Sequence, residues 1–128
     1  MFVSLSFPLD MATAGTAETV YQTVPAGAFA KYAVVGAAFV PDTNRTADNT
    51  DYATVAVKVG ATTLGSFTTQ VTGNGNLVAG TPVIFTLSGA PAAPHTAGTS
   101  HVNVAVTKAG SGVAVTGMVT VLLEAVRA

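Results

Sequence analysis

Hydrophobic and polar residues alternate along several short segments of the chain. In segment 54–59, three valines fall on one side of an extended backbone and three other residues fall on the opposite side. The same period of two recurs in segments 3–7, 83–87 and 102–107. This period is typical of strands with one buried side and one side facing solvent. The pattern therefore predicts half-buried β-strands.

Composition extends this prediction to about eight strands. The chain contains twenty valines and twenty threonines, whose branched side chains pack well on a pleated sheet. Further strands are predicted at 19–24, 32–40, 65–71 and 113–126, the last with a candidate break at Gly117. Glycine and proline clusters separate them, and one helical turn is predicted at 10–14. The predicted fold is all-β, an antiparallel β-sandwich or jelly-roll-like fold.

A chain of 128 residues fits one compact domain. We assign residues 1–15 to an N-terminal arm or edge strand and residues 16–128 to a single β-sandwich domain. An edge strand offers unpaired backbone groups to a neighbouring chain. The candidate interface residues, expected to contact a neighbouring subunit or a larger shell, are Phe2, Val3, Leu5 and Phe7. Segment 89–100, with two prolines, is predicted to be an exposed mobile loop.

Charge is scarce and hydrophobic content is high. Charged residues make up 9% of the chain and hydrophobic residues 49%, with a formal net charge of −1. Five scattered cations cannot form the basic stripe of a nucleic-acid binder, and no apolar run reaches the roughly 18 residues of a membrane-spanning helix. The N-terminal segment has no basic region typical of a signal peptide. A weakly charged monomer would tend to associate, so a homo-oligomer such as a trimer is expected.

Candidate metal chemistry is weak in this sequence. The polar segment 42–51 could offer oxygen ligands to Ca²⁺, but as an EF-hand loop it lacks glycine at the sixth position and has Ala53 at the twelfth. A solvated surface loop is the favoured interpretation. His95 and His101 have no nearby cysteine or third ligand for zinc. We predict no cofactor and no bound metal.

Candidate catalytic groups are equally sparse. No Gly-x-Ser-x-Gly nucleophile motif is present, and Glu18 and Glu124 are isolated in sequence. A metal enzyme on a jelly roll would need closely spaced histidines, and the chain has two in all. The sequence therefore predicts a protein that is not an enzyme.

The order of several short motifs resembles the tailed-phage head decoration, or minor capsid, proteins. Residues 37–42 read Ala-Ala-Phe-Val-Pro-Asp and precede a polar loop and the alternating strand 52–59. Residues 77–83 read Leu-Val-Ala-Gly-Thr-Pro-Val, and Lys-Ala-Gly-Ser-Gly at 108–112 precedes the apolar segment 119–124. The resemblance covers roughly residues 29–126.

This resemblance implies a small β-sandwich that binds and stabilises the outer surface of a phage head. The implied partner is the major capsid protein, and the implied location is the virion, after synthesis in the host cytoplasm. A phage fibre-associated or receptor-binding β module is the alternative, and it would present segment 89–100 to a ligand. Neither interpretation involves nucleic acid or a membrane.

Overall fold

A computed structural model describes residues 2–11, 18–23, 31–73, 75–88, 95–96 and 101–126. These residues form nine strands and one 3-10 turn, Val71–Gly73, with no α-helix among them. The strands are β1 Phe2–Met11, β2 Glu18–Thr23, β3 Lys31–Pro41, β4 Tyr52–Val59, β5 Thr62–Thr68, β6 Val83–Ile84, β7 His95–Thr96, β8 His101–Ala109 and β9 Val115–Val126.

The strands form two antiparallel sheets. The five-stranded sheet has the order β1-β9-β3-β6, and β7 also pairs with β3. The four-stranded sheet has the order β2-β8-β4-β5. The predicted all-β sandwich of about eight strands is confirmed.

The core lies between the two sheets and is built from the alternating positions. In β4, the residues at every second position are buried, and Val55 and Val57 are fully so. Phe39 of β3 stacks on Phe67 of β5 with ring centroids 5.5 Å apart, and Phe67 contacts Phe85 at 5.3 Å. Each fully buried side chain of this kind contributes roughly 1.5–3 kcal/mol relative to exposure. Burial of alternate apolar positions therefore holds the sheets together.

The predicted strand 83–87 is shorter in the structure, where β6 ends at Ile84. The chain leaves the edge of β3 there and crosses towards the other sheet. The Phe85 N–H still donates to the Ala37 carbonyl at 3.0 Å, but the Ser88 N–H donates to the Leu64 carbonyl of β5 at 2.7 Å. This segment closes one side of the sandwich.

Three further predictions differ from the structure. The strand predicted at 65–71 is β5, which ends at Thr68, and Val71 begins the 3-10 turn. β9 continues through Gly117, which has a φ of +151°. A Cβ there would meet the Val40 carbonyl oxygen, so the glycine permits close approach of β3 rather than a break. The helical turn predicted at 10–14 is wrong for Asp10 and Met11, which pair with Thr116 and Val115 in β9. Residues 12–14 lie outside the described residues.

Segment 89–100 is described only at His95 and Thr96. These two residues form β7 and pair with Tyr32 and Lys31 of β3. The prediction of an exposed mobile loop otherwise lies outside the described residues.

Candidate interaction surface

The outer face of the five-stranded sheet carries large hydrophobic side chains. Strand alternation turns one set of residues into the core and leaves the other set on this face. Five of the eight large hydrophobic residues found exposed among the described residues lie here. Their exposed fractions are 72% for Ile84, 61% for Phe2, 40% for Met118, 39% for Val40 and 38% for Leu122. We call this surface the apolar face.

An open depression of about 410 Å³ lies on the apolar face. Small residues of β3 form its floor, since Gly36 lies opposite Leu122 and Ala38 lies between Thr120 and Ile84 in register. A Cβ added at Gly36 would lie 3.9 Å from the Leu122 Cβ, an ordinary van der Waals contact. The depression therefore has room for an apolar side chain of another molecule. Its lining residues are Gly36, Ala37, Ala38, Ile84, Thr120 and Leu122.

Formal charges on the apolar face lie near the strand ends. Asp10 is the penultimate residue of β1, Lys31 is the first residue of β3 and Glu124 is third from the end of β9. Among the described residues, the middle of the face has no charged side chain. A partner that covered the middle would bury apolar groups without removing a charge from water, which is costly when unpaired. The centre of the face is chemically suited to an apolar contact.

The outer face of the four-stranded sheet is polar by comparison. Thr107, Thr54 and Thr68 lie side by side in a row across β8, β4 and β5. At the β2 edge, the rings of Tyr21 and His101 meet edge-to-face with centroids 5.1 Å apart. We call this surface the threonine face. Its hydroxyl groups can bind water, so the face has less need of a partner.

The threonine face also contains a buried amide. Asn103 is 3% exposed, and its Nδ2 donates to the Gly60 carbonyl at 3.0 Å. Every buried side-chain N or O atom among the described residues has a hydrogen-bond partner. Asn103 therefore stabilises the β4–β5 turn through this hydrogen bond, and its amide does not indicate a ligand site.

The four candidate interface residues all lie on β1, which pairs with β9 over its whole length. Phe2 projects onto the apolar face, whereas Val3 and Leu5 are half-buried and pack against the core. Phe7 is fully buried opposite Val119. In this fold only Phe2 of the four offers a broadly exposed side chain. The interface itself stays a prediction.

Residues of the apolar face other than Phe2 were missed by sequence reasoning. Met118 and Leu122 occupy positions of β9 that lie on its outer side, next to the buried Val119, Val121 and Leu123. Apolar residues at both the inner and outer positions of a strand signal a second covered side. That signal was present in segment 118–123 and could have identified the face.

The polar segment 42–51 forms a hydrogen-bonded cap on one end of the sandwich. Asp48 Oδ1 accepts from the Thr50 and Asp51 N–H groups at 2.6 and 2.8 Å, and Asn44 Oδ1 accepts from the Ala79 N–H at 2.8 Å. Arg45 Nε donates to the Ala114 carbonyl at 2.9 Å. Within the described ranges, no group of three His, Asp or Glu residues could hold a metal ion. The oxygens of this segment organise loops.

These contacts change the acidity of two carboxyl groups. Hydrogen bonds from the Thr116 and Thr43 hydroxyls lower the pKa of Asp42 below its ordinary value. Hydrogen bonds from the Asp51 and Thr50 backbone N–H groups lower the pKa of Asp48 in the same way. Both groups are therefore carboxylates at neutral pH and act as acceptors in the cap.

The described residues include no helix of the length and hydrophobicity needed to cross a membrane. In comparisons with known proteins, no family model matches the chain and no curated protein sequence matches it.

Proposed function

We propose that this chain is a structural, non-enzymatic protein that decorates the head of a tailed phage by binding the major capsid protein on the outer capsid surface. The apolar face carries this proposal, because a cement protein needs an exposed apolar surface of this kind to dock on a capsid. The type of virus and the major capsid protein as partner are implied by the resemblance of the sequence motifs to head decoration proteins. The proposed location is the virion, after synthesis in the host cytoplasm.

Exposure of the apolar face to water is unfavourable. Ile84, Met118, Val40 and Leu122 project from neighbouring strands and flank small residues. Burying apolar surface is favourable by roughly 25 cal/mol per Å². Contiguous exposed apolar patches on soluble proteins commonly mark sites where partners bind. A capsid surface that inserts an apolar side chain into the depression would bury both surfaces.

Electrostatics should contribute little to this contact. The formal net charge is −1, and the charges on the apolar face lie near its ends. Salt at about 1 M reduces the range of interactions between exposed charges to roughly 3 Å. Binding to the head should therefore survive a wash at that salt concentration.

The test uses heads of the encoding virus that lack this protein, mixed with the purified chain and sedimented. Ala38→Lys places a charge in the floor of the depression on β3, whereas Ala56→Lys places one on the threonine face of β4. Both alanines are half-buried and point outward in their sheets. We expect Ala38→Lys to lose binding by at least about tenfold, or roughly 1.4 kcal/mol, and Ala56→Lys to bind like the parent chain.

The following results, among others, would overturn the proposal. They are a parent chain that never sediments with heads, a parent chain stripped completely by about 1 M salt, and equal binding by both folded variants. Circular dichroism and thermal unfolding of each variant separate a lost contact from a lost fold.

The alternative of a fibre-associated or receptor-binding module depends on segment 89–100, of which the structure describes residues 95–96. It stays a prediction from the sequence. Loss of head binding by Ala56→Lys alone would move the docking surface to the threonine face and contradict the proposal made here.

A further inference from the structure

The N-terminal half of β1 is a sheet edge without the usual protection against pairing. Natural proteins guard edge strands with lysine, proline, bulges or short strand length. β1 is ten residues long, its first charged residue is Asp10 and its pairing with β9 contains no bulge. Pro8 and the charged Asp10 are the guarding residues of β1, and both lie in its C-terminal half. Residues 2–6 are left unguarded.

The backbone groups on the free edge can be identified from one hydrogen bond. The Ser6 carbonyl accepts a hydrogen bond from Gln22 Nε2 of the other sheet at 3.3 Å, so Ser6 directs its backbone groups away from β9. Backbone groups alternate in direction along an antiparallel strand. Phe2, Ser4 and Pro8 therefore face the same free edge. Proline at such a position removes no hydrogen bond from the β1–β9 ladder.

The other edges within the described part of the chain differ from this one. β6 and β7 have two residues each, and β2 has six residues and begins with Glu18. On β5, the Leu64 carbonyl already accepts from Ser88. Among the described strands, β1 thus offers the longest uncharged run of edge backbone.

We infer that β1 pairs with β1 of a second copy of this chain, antiparallel and about a two-fold axis at Ser4. Ser4 would then lie opposite Ser4 of the second copy, and Phe2 would lie opposite Ser6. Each opposed pair can exchange backbone hydrogen bonds, because these residues direct their groups to the free edge. At Ser6 the incoming Phe2 N–H would share the carbonyl, which has two lone pairs, with Gln22 Nε2. No charged residue enters the paired segment.

Pro8 selects this register over a neighbouring one. An axis at Ser6 would place Ser4 opposite Pro8, which has no N–H to donate, and Phe2 opposite the charged Asp10. An axis at Ser4 leaves both Pro8 and Asp10 outside the pairing. Pro8 and Asp10 in the second half of β1 thus restrict pairing between copies to the first half.

The contact joins two five-stranded sheets into one continuous sheet. A two-fold axis perpendicular to the sheet keeps both apolar faces on the same side, where Phe2 extends the surface across the junction. The contact is isologous and produces dimers, so a trimer would need a different contact. Association of two copies through β1 does not require binding to a capsid.

The test introduces charges at the two-fold axis. Ser4 is exposed, so Ser4→Lys and Ser4→Glu should each fold, but each places like charges directly opposite one another in the dimer. We expect each variant to raise the dissociation constant of the dimer by at least about tenfold, which corresponds to about 1.4 kcal/mol. An equimolar mixture of the two should associate again, because the opposed charges are then of opposite sign.

The matched control is Ser66→Lys, which places a lysine at an exposed serine of β5 on the threonine face. It should associate like the parent chain. Analytical ultracentrifugation provides the masses. A parent chain that stays monomeric at about 100 µM, well above the dissociation constant of a micromolar contact, would overturn the inference. So would folded Ser4→Lys and Ser4→Glu variants that associate as tightly alone as when mixed.

Discussion

The apolar face displays Leu122, Met118 and Ile84, whereas the threonine face displays Thr107 and Thr54 at comparable outward positions of its strands. The inner sides of the two sheets are alike, since both present valine together with other apolar side chains to the core. Folding requires the inner sides to be apolar but makes no such demand on the outer sides. The apolar residues of the outer face are therefore not explained by folding alone, and for this reason we propose that face as the docking surface.

The largest expected effect separates the two sides of the five-stranded sheet. Leu123 is fully buried and its neighbour Leu122 is 38% exposed on the apolar face. Leu123→Ala should lower the free energy of unfolding by about 2–5 kcal/mol, because it leaves a cavity in the core. Leu122→Ala should lower it by less than about 1 kcal/mol. Urea denaturation measures the free energy of unfolding of both variants. Equal losses would mean that Leu122 is packed inside the folded chain and is not available on the apolar face.

Two glycines test the same difference between a packed position and an open one. An added Cβ at Gly65 would lie 2.6 Å from the Thr86 carbonyl oxygen, where the two sheets meet, whereas Gly36 faces the open depression. Gly65→Ala should cost about 1–3 kcal/mol through overpacking. Gly36→Ala should be neutral or stabilising by up to about 1 kcal/mol, because it restricts the unfolded chain. Thermal unfolding that shows a large loss for Gly36→Ala would contradict an open depression.

The smallest effect is a pH dependence that belongs to the cap and to neither face. The pKa values of Asp42 and Asp48 are lowered in the folded chain, so their stabilising effect is complete above the unfolded value near 3.8. It should be lost as the pH falls from there through the folded values. Asp48→Asn keeps an oxygen acceptor for the Thr50 and Asp51 N–H groups but does not titrate.

Urea titrations at several acidic pH values test this dependence. Asp48→Asn should show a shallower loss of stability than the parent chain between about pH 4 and pH 2. An identical loss in both proteins would remove Asp48 from the explanation.

Alternation in the sequence was sufficient to predict the sandwich and most of its strands. Segment 54–59 lies in β4, where buried and half-buried residues alternate. A strict period of two over six residues is typical of a strand and not of a helix. Whether the strand breaks at Gly117 or continues through it could not be predicted from alternation. A glycine within a strand can mark either a break or a close approach, and the position of β3 across the sheet decides between them.

The candidate surface was predicted only in part. The N-terminal segment was expected to be an edge strand, and its free side depends on which strand takes the other side. Phe7 could not be distinguished from Phe2 by residue type, although alternation places them on opposite sides of β1. The depression depends on Ala38 and Ile84, which are distant in sequence and meet through the short β6. Sequence periodicity carries no information about such meetings.

The central place of β9 has a consequence for how the chain is made. Among the described strands β9 is synthesised after β1 and β3, yet both of these pair with it along most of their lengths. On the ribosome, the five-stranded sheet therefore cannot close until segment 115–126 has been synthesised. Chains of such non-local pairing fold slowly. Premature stop codons before Val115 should yield a chain whose β1 has no partner and which enters inclusion bodies or is degraded.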